Sequence, residues 1–172
     1  MNKPVYLIGF MGSGKTTWGK KLAKAMDVPF IDLDHELVEK IGMSIPEYFS
    51  LHGEAQFRLL EQETLHASQN REGIISTGGG TPCYFDNMDW LLDNGIVLYL
   101  KHSPKSLWSR LSKSDVHKRP ALKGLQGEDL LHFIEEKLEE REPFYNRAHI
   151  QVDQINTSLE DLVALVQNYD HQ

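Results

Sequence analysis

Five short apolar runs, Val5–Phe10, Pro29–Asp32, Gly73–Thr77, Ile96–Leu100 and His149–Val152, alternate along the chain with stretches whose apolar residues recur at helical spacing. The runs are too short and too continuously apolar for amphipathic helices, and they suit strands covered on both faces. Between them, Lys15–Met26 places Trp18, Leu22, Ala25 and Met26 on one face, and Gly53–Ser68 does the same with Phe57, Leu60, Thr64 and Leu65. Leu107, Trp108 and Leu111 mark another helix, opened by Ser103 as cap and Pro104 as first residue. Leu130–Glu140 and Leu159–Asn168 complete the set, with a shorter helix over His35–Ile41. Strands alternating with helices predict an α/β fold of βαβ units, with a parallel sheet and right-handed crossovers. One segment breaks the pattern: Ser112–Glu128 is polar, lacks apolar periodicity and carries Lys113, Lys118, Arg119 and Lys123. Long irregular segments in compact domains serve as functional lids or as solvated loops, and the clustered cations favour a lid over about residues 112–126.

With 172 residues, the chain reads as one domain spanning 1–172, able to bury a core without disulfides or metal staples. Its 40% hydrophobic and 25% charged residues are ordinary for a globular protein. The net charge of −7 argues against nucleic acid as a partner, because a phosphate backbone needs clustered positive charge. Cys83 is the single cysteine, so no intrachain disulfide or cysteine-cluster metal site exists, and a reducing cytoplasm is the natural compartment. The apolar run Val5–Met11 is too short for a leader peptide or a bilayer span, so a soluble protein without a membrane partner is expected. No strongly apolar surface helix stands out, which makes a monomer the default.

The strongest chemical signal is Gly9-Phe-Met-Gly-Ser-Gly-Lys-Thr16, which fits G-x-x-x-x-G-K-[ST] between a strand and a helix. Glycines there let backbone N–H groups wrap a phosphate at the positive end of the following helix. Gly12, Ser13, Gly14, Lys15, Thr16 and Thr17 are thus the candidate nucleotide-binding residues, with Lys15 on the β- and γ-phosphates and the Thr16 hydroxyl on Mg²⁺. A glycine-rich turn without special purpose is the plain rival. A guanine-reading N-K-x-D segment is absent, and the run Gly73–Thr77 passes into Gly78-Gly79-Gly80 with no acid at its end. The acids instead close the second strand, at Asp32 and Asp34. Ligands of open α/β sheets gather at the carboxyl ends of strands, so these features are expected around one crevice.

Six segments in order, GFMGSGKTT, FIDLD, GEAQFRLLE, ISTGGG, KRPAL and EREPFY, make the chain resemble the shikimate kinase family over nearly its whole length. The resemblance implies a three-layer αβα P-loop NTPase fold of the nucleoside-monophosphate-kinase type, with a five-stranded parallel sheet in the order 2-3-1-4-5 and a lid. It implies transfer of the ATP γ-phosphoryl group to the 3-hydroxyl of shikimate, with Mg²⁺. It also implies a substrate-binding region over about residues 33–61. Arg58 and Arg141 match the family's carboxylate-binding arginines, and Asp34 matches the carboxylate that holds ring hydroxyls and accepts the reacting proton. Gly79 and Gly80 would border the ring, Phe49 and Phe57 would wall the pocket, and Glu61 would brace Arg58. Arg119 resembles the lid arginine that closes over the phosphates; Asp32 and Ser76 resemble positions near Mg²⁺.

Plainer readings stand beside these. Asp34 would also suit the cap of the helix His35–Ile41, Arg58 and Arg141 have glutamate neighbours for surface ion pairs, and Gly78–Gly80 fits a simple turn. Phe49, Phe57, Trp18, Trp90 and Trp108 suit the core, and Cys83 suits packing. The chain departs from the family in Arg119-Pro-Ala-Leu, where Leu usually follows Pro, and in Pro-Phe-Tyr-Asn after Glu142, where Arg147 is a substitute for the commoner tyrosine-arginine pair. Asn156 is the candidate adenine contact in the loop Asp153–Thr157. A gluconate or nucleotide kinase of the same fold, and a nucleotide-binding regulatory module without catalysis, are the alternative functions.

Overall fold

The protein is represented by a computed structural model that describes residues 3–113 and 122–170. Arg119 and its neighbours, the centre of the expected lid, lie outside the described residues. The strands are β1 (Val5–Ile8), β2 (Phe30–Asp32), β3 (Ile74–Ser76), β4 (Ile96–Lys101) and β5 (Ile150–Asp153). All neighbours pair in parallel, in the order β2-β3-β1-β4-β5. The helices are α1 (Lys15–Met26), α2 (Leu33–Ile41), α3 (Ile45–His66), α4 (Asn87–Asn94), α5 (Pro104–Leu111), α6 (Gly127–Tyr145) and α7 (Leu159–Asp170).

Alternation along the strands builds two cores. Tyr6 and Ile8 of β1, Val97 and Tyr99 of β4, and Ile75 face α3 to α6, while Val5, Leu7, Ile96 and Leu98 face α1 and α7. This gives the three layers expected. The edge strand β5 differs, because only Ile150 and Val152 are buried while Gln151 and Asp153 are exposed. Among the described residues no helix covers its second face. On α1 the buried positions are Lys15, Gly19, Leu22 and Ala23; of the expected stripe, Leu22 is in the core, Trp18 and Met26 pack against it, and Ala25 is exposed, its place taken by Ala23. Gly19 admits no side chain, since a Cβ there would sit 2.4 Å from the Phe30 ring.

Two helical stretches exceed the sequence expectation. α3 begins at Ile45 rather than at Gly53, with Ser44 and Glu47 forming a reciprocal capping box. Gly53, at φ 77° and ψ 171°, breaks the helix between its two halves. That interruption hides the first half from a search for helical period. α4 was not expected at all; its sequence NMDWLLDN is rich in turn-forming residues. The end of the expected loose segment is also anchored, because Leu122 is fully buried and the Trp108 indole donates to the Gly127 carbonyl at 2.9 Å.

Candidate active site

The carboxyl ends of β1, β2 and β3 open into a cleft of about 860 Å³. Its lining includes Gly12, Gly14, Lys15, Thr16 and Thr17 from one side, and Asp34, Arg58, Gly79, Gly80 and Arg141 from the other. Such a volume suits a small ligand, with polar groups fixing its orientation.

The glycine-rich loop turns on Gly12 and Gly14, both at positive φ (77° and 89°). Ser13 is buried, and its N–H donates to the Phe10 carbonyl at 3.1 Å. Lys15 folds back so that Nζ donates to the carbonyls of Gly9 (2.8 Å) and Phe10 (3.1 Å), stretching its side chain under the loop. Next to it, the Thr16 hydroxyl donates to Asp32 Oδ2 at 2.9 Å. The other Asp32 oxygen accepts from the N–H groups of Asp34 (3.1 Å) and His35 (3.3 Å). Asp32 is therefore the cap of α2, and Asp34 is not; it stands in the first helical turn with its side chain facing the cleft. Strand register sets Asp32 opposite Ser76, and Ser76 opposite Leu7 of β1, so these three sit level at the floor.

Among the described residues no group of three or more His, Cys, Asp or Glu could hold a metal ion. The donors present, the Thr16 hydroxyl and the Asp32 carboxylate, are hard oxygens. They suit a Mg²⁺ that keeps several waters and takes its remaining ligands from phosphate.

Across the cleft, burial raises the pKa of Asp34 to about 6, with further repulsion from Glu61 and Asp32; Lys15 and Arg58 act in the opposite direction. Arg58 lies 4.0 Å over the Tyr84 ring, donates to Glu61 Oε1 at 2.9 Å, and meets Glu54 Oε1 at 3.2 Å through Nη2. Glu61 is itself buried and accepts from the Thr81 hydroxyl at 2.8 Å through its second oxygen. Phe49 and Phe57, at 4.6 Å between ring centroids, pack on one another across the Gly53 break and both line the cleft.

The three glycines after β3 are close-fitting. A Cβ at Gly78 would lie 2.7 Å from Glu61 Oε2 and 2.9 Å from Asp34 Oδ1, and one at Gly80 would lie 2.6 Å from Arg58 Nη1. Arg141 rests over Phe10, and its Nη1 is buried without a hydrogen-bond partner among the described residues. A buried donor atom left without a partner is costly, and this one borders the cleft.

One expected role lands elsewhere, and the remaining side chains sit as follows. Arg147 points away and pairs with Asp89, so it does not enter the cleft. The Asn156 amide donates to Asp153 Oδ2 at 2.8 Å, serving its own turn. Cys83 is half-buried and its thiol is pushed up to about 11 by burial, in keeping with packing. Of the tryptophans, Trp18 packs against the α1/α7 core, and Trp90 and Trp108 against the other.

Three contributors escaped the sequence reading. Arg110 Nε donates to the Gly12 carbonyl at 2.6 Å, Tyr145 donates its hydroxyl to the Gly79 carbonyl, and Lys137 lines the cleft one helical turn before Arg141. Each acts across a long sequence separation, and only the helical spacing of Lys137 and Tyr145 around Arg141 signalled a shared face.

A phosphate-wrapping loop, a parallel sheet in the order β2-β3-β1-β4-β5 and a cleft lined by cations opposite that loop define a P-loop kinase acting on a small acceptor. The sequence model described as shikimate kinase matches residues 11–169. The chain belongs to the shikimate kinase family. It is 45% identical to the shikimate kinase of Parabacteroides distasonis, over 88% of this chain and 87% of that one. The crystal structure of shikimate kinase from Bacteroides thetaiotaomicron superposes with a TM-score of 0.88 at 37% identity, covering 99% of both chains. The Acinetobacter baumannii shikimate kinase in complex with shikimate superposes with a TM-score of 0.85 at 32% identity, covering 98% of this chain and 93% of that one.

Proposed function

We propose that this chain transfers the γ-phosphoryl group of ATP to the 3-hydroxyl of shikimate, giving shikimate 3-phosphate and ADP. The observation that carries the reading is the convergence of Arg58, Arg141 and Asp34 with the phosphate loop on one cleft, where Arg141 Nη1 has no hydrogen-bond partner among the described residues. A carboxylate-bearing, hydroxyl-rich acceptor answers each of those groups. Gluconate shares that chemistry in part, but a nucleotide acceptor would not need two arginines beside a triple glycine.

In this mechanism Gly12–Thr17 hold the ATP phosphates, and Lys15 leaves its loop carbonyls to stabilise the β- and γ-oxygens. Thr16 and Asp32, with Ser76 alongside, would hold Mg²⁺, which when bound offsets phosphate charge. Arg58 and Arg141 grip the acceptor carboxylate, and a planar guanidinium does so bidentately. Asp34 accepts the hydroxyl proton; its raised pKa makes it a better base while leaving it ionised at neutral pH. Gly79 and Gly80 let the ring approach the backbone, and Phe49 and Phe57 close its apolar side. Arg119, carried from the family resemblance, adds a lid cation over the transferring group. Phosphoryl transfer needs little covalent help, so positioning and charge supply most of the acceleration.

The reading takes residues 1–172 as one domain, with its acceptor region over about 33–61 and its lid over about 112–126. It further takes the enzyme to be a cytoplasmic monomer whose partners are two small anions. Among the described residues no helix is long and apolar enough to cross a membrane. A coupled ADP-release assay with shikimate, gluconate and nucleoside monophosphates tests the assignment. Turnover with shikimate alone is expected. Release with gluconate or a nucleotide, and none with shikimate, overturns it.

A further inference from the structure

His102 follows β4 at its carboxyl end, and β4 lies between β1 and β5 in the sheet. From there the imidazole touches three elements. Nε2 lies 3.1 Å from the Ser13 carbonyl of the phosphate loop and 2.6 Å from Gln154 Oε1, just after β5. Nδ1 lies 2.9 Å from the Ser106 hydroxyl in the first turn of α5. The ring is buried, and no part of the phosphoryl-transfer mechanism uses it.

The partners assign the proton. A carbonyl oxygen only accepts, so Nε2 carries the hydrogen and shares it between Ser13 and Gln154, while Nδ1 accepts from Ser106. The consequence falls on the other end of the same peptide unit. In a planar trans peptide C=O and N–H point in opposite directions. Holding the Ser13 carbonyl down on His102 therefore turns the Gly14 N–H the other way, toward the hollow of the loop. Gly14 is the residue that makes this possible, with φ 89° in the left-handed region and α1 starting immediately after it.

We infer that His102 is a positioning residue for the nucleotide: through the Ser13 carbonyl it aims the Gly14 N–H at the ATP phosphates. The inference rests on the reading that Gly12–Thr17 bind those phosphates. Arg110 does a parallel service at the Gly12 carbonyl, so successive peptides of the loop are fixed from outside. Gln154 shares the same imidazole hydrogen and so keeps the ring from swinging off the loop.

The test uses His102→Leu, which removes the donor, and His102→Gln, whose amide N–H reaches to the position of Nε2. Titration calorimetry with Mg·ATP and initial rates with both substrates give the readout. His102→Leu is expected to weaken ATP binding about tenfold, the size of one lost hydrogen bond to a positioned group, while the shikimate KM stays within about twofold. His102→Gln restores most of the ATP affinity. Unchanged ATP affinity in His102→Leu overturns the inference, as do equal rises for both substrates without rescue by glutamine. Should His102→Leu not fold, Ser106→Ala loosens the ring from its other side; an expected rise of about threefold in the ATP dissociation constant supports the inference, and no rise overturns it. Lys15→Met separates the two levels. If it leaves ATP affinity intact, the phosphate-loop reading fails and takes the inference with it; if it abolishes affinity while the His102 variants bind normally, the inference alone fails.

Discussion

Glu61 and Arg58, one helical turn apart on α3, are joined at 2.9 Å while the same glutamate accepts from Thr81 on the far side. The arginine is thereby aimed from behind, leaving its outer edge to Glu54 and the cleft. Glu61→Gln should raise the shikimate KM about tenfold and leave the ATP KM within about twofold, because only the orientation of the acceptor's anchor is lost. Initial-rate kinetics in both substrates check this; a matching rise for ATP would place Glu61 elsewhere in the mechanism.

Removing either arginine acts more directly. Arg58→Ala and Arg141→Ala should each raise the shikimate KM by about 10- to 100-fold, the range for a charge-assisted hydrogen bond to a carboxylate. Arg141→Ala carries a second signature. It removes a cation whose Nη1 is buried without a partner, and gives up its contacts with Phe10 and the Tyr145 hydroxyl, so the two effects should offset and the ligand-free protein should melt within a few degrees of the parent. A large loss of thermal stability would mean that the contacts with Phe10 and Tyr145, rather than an acceptor anion, are the main business of Arg141.

Asp34 links activity to pH. Its carboxyl is raised from 3.8 to about 6, so kcat/KM for shikimate should fall about tenfold per pH unit below that value and level off above it. A flat profile between about pH 5 and 7 removes Asp34 as the base.

The same shift makes a claim on stability. The fold favours the protonated form, so Asp34's contribution is full below the unfolded pKa of 3.8 and is lost as pH climbs through about 6. Asp34→Asn should therefore abolish turnover yet stabilise the protein near neutral pH by on the order of 2 kcal/mol. The gain should vanish below about pH 4. Denaturant unfolding at both pH values tests it; a destabilised variant at neutral pH contradicts the sign.

Gly80→Ala offers a steric probe. Its Cβ would press on Arg58 Nη1, which is tied to Glu61 and stacked on Tyr84, leaving the guanidinium little room to yield. The shikimate KM should rise about tenfold with kcat for the saturated enzyme less affected. Normal KM would show that Arg58 moves freely.

The phosphate loop, the FIDLD strand end and the triple glycine were legible in the sequence because their chemistry is local. A backbone that wraps a ligand needs glycine at fixed steps, whatever the rest of the chain does. The strand order came with the family resemblance, and the structure has the same order. What escaped was held together across distance. Arg110 reaches a carbonyl 98 residues away and Tyr145 one 66 residues away, and no local pattern announces such a pairing. The first half of α3 escaped for the opposite reason, since a single glycine cut its period, although Ser44, Pro46 and Glu47 carry an intact start signal. Arg147 adjoins the EREPFY motif in sequence yet turns to Asp89, because the helix that carries Arg141 ends at Tyr145.

The Gly53 break has nothing within 4 Å of where a Cβ would stand, so space places no demand on it; only its dihedral angles do. They fall in a region essentially reserved for glycine, where another residue costs on the order of 1–3 kcal/mol. Phe49 lies before this joint and Arg58 after it. The width of the acceptor pocket is thus governed by an angle in the main chain as much as by the bulk of its side chains. Descendants of this sequence could resize the pocket by shifting that bend, with every residue that touches the acceptor left in place.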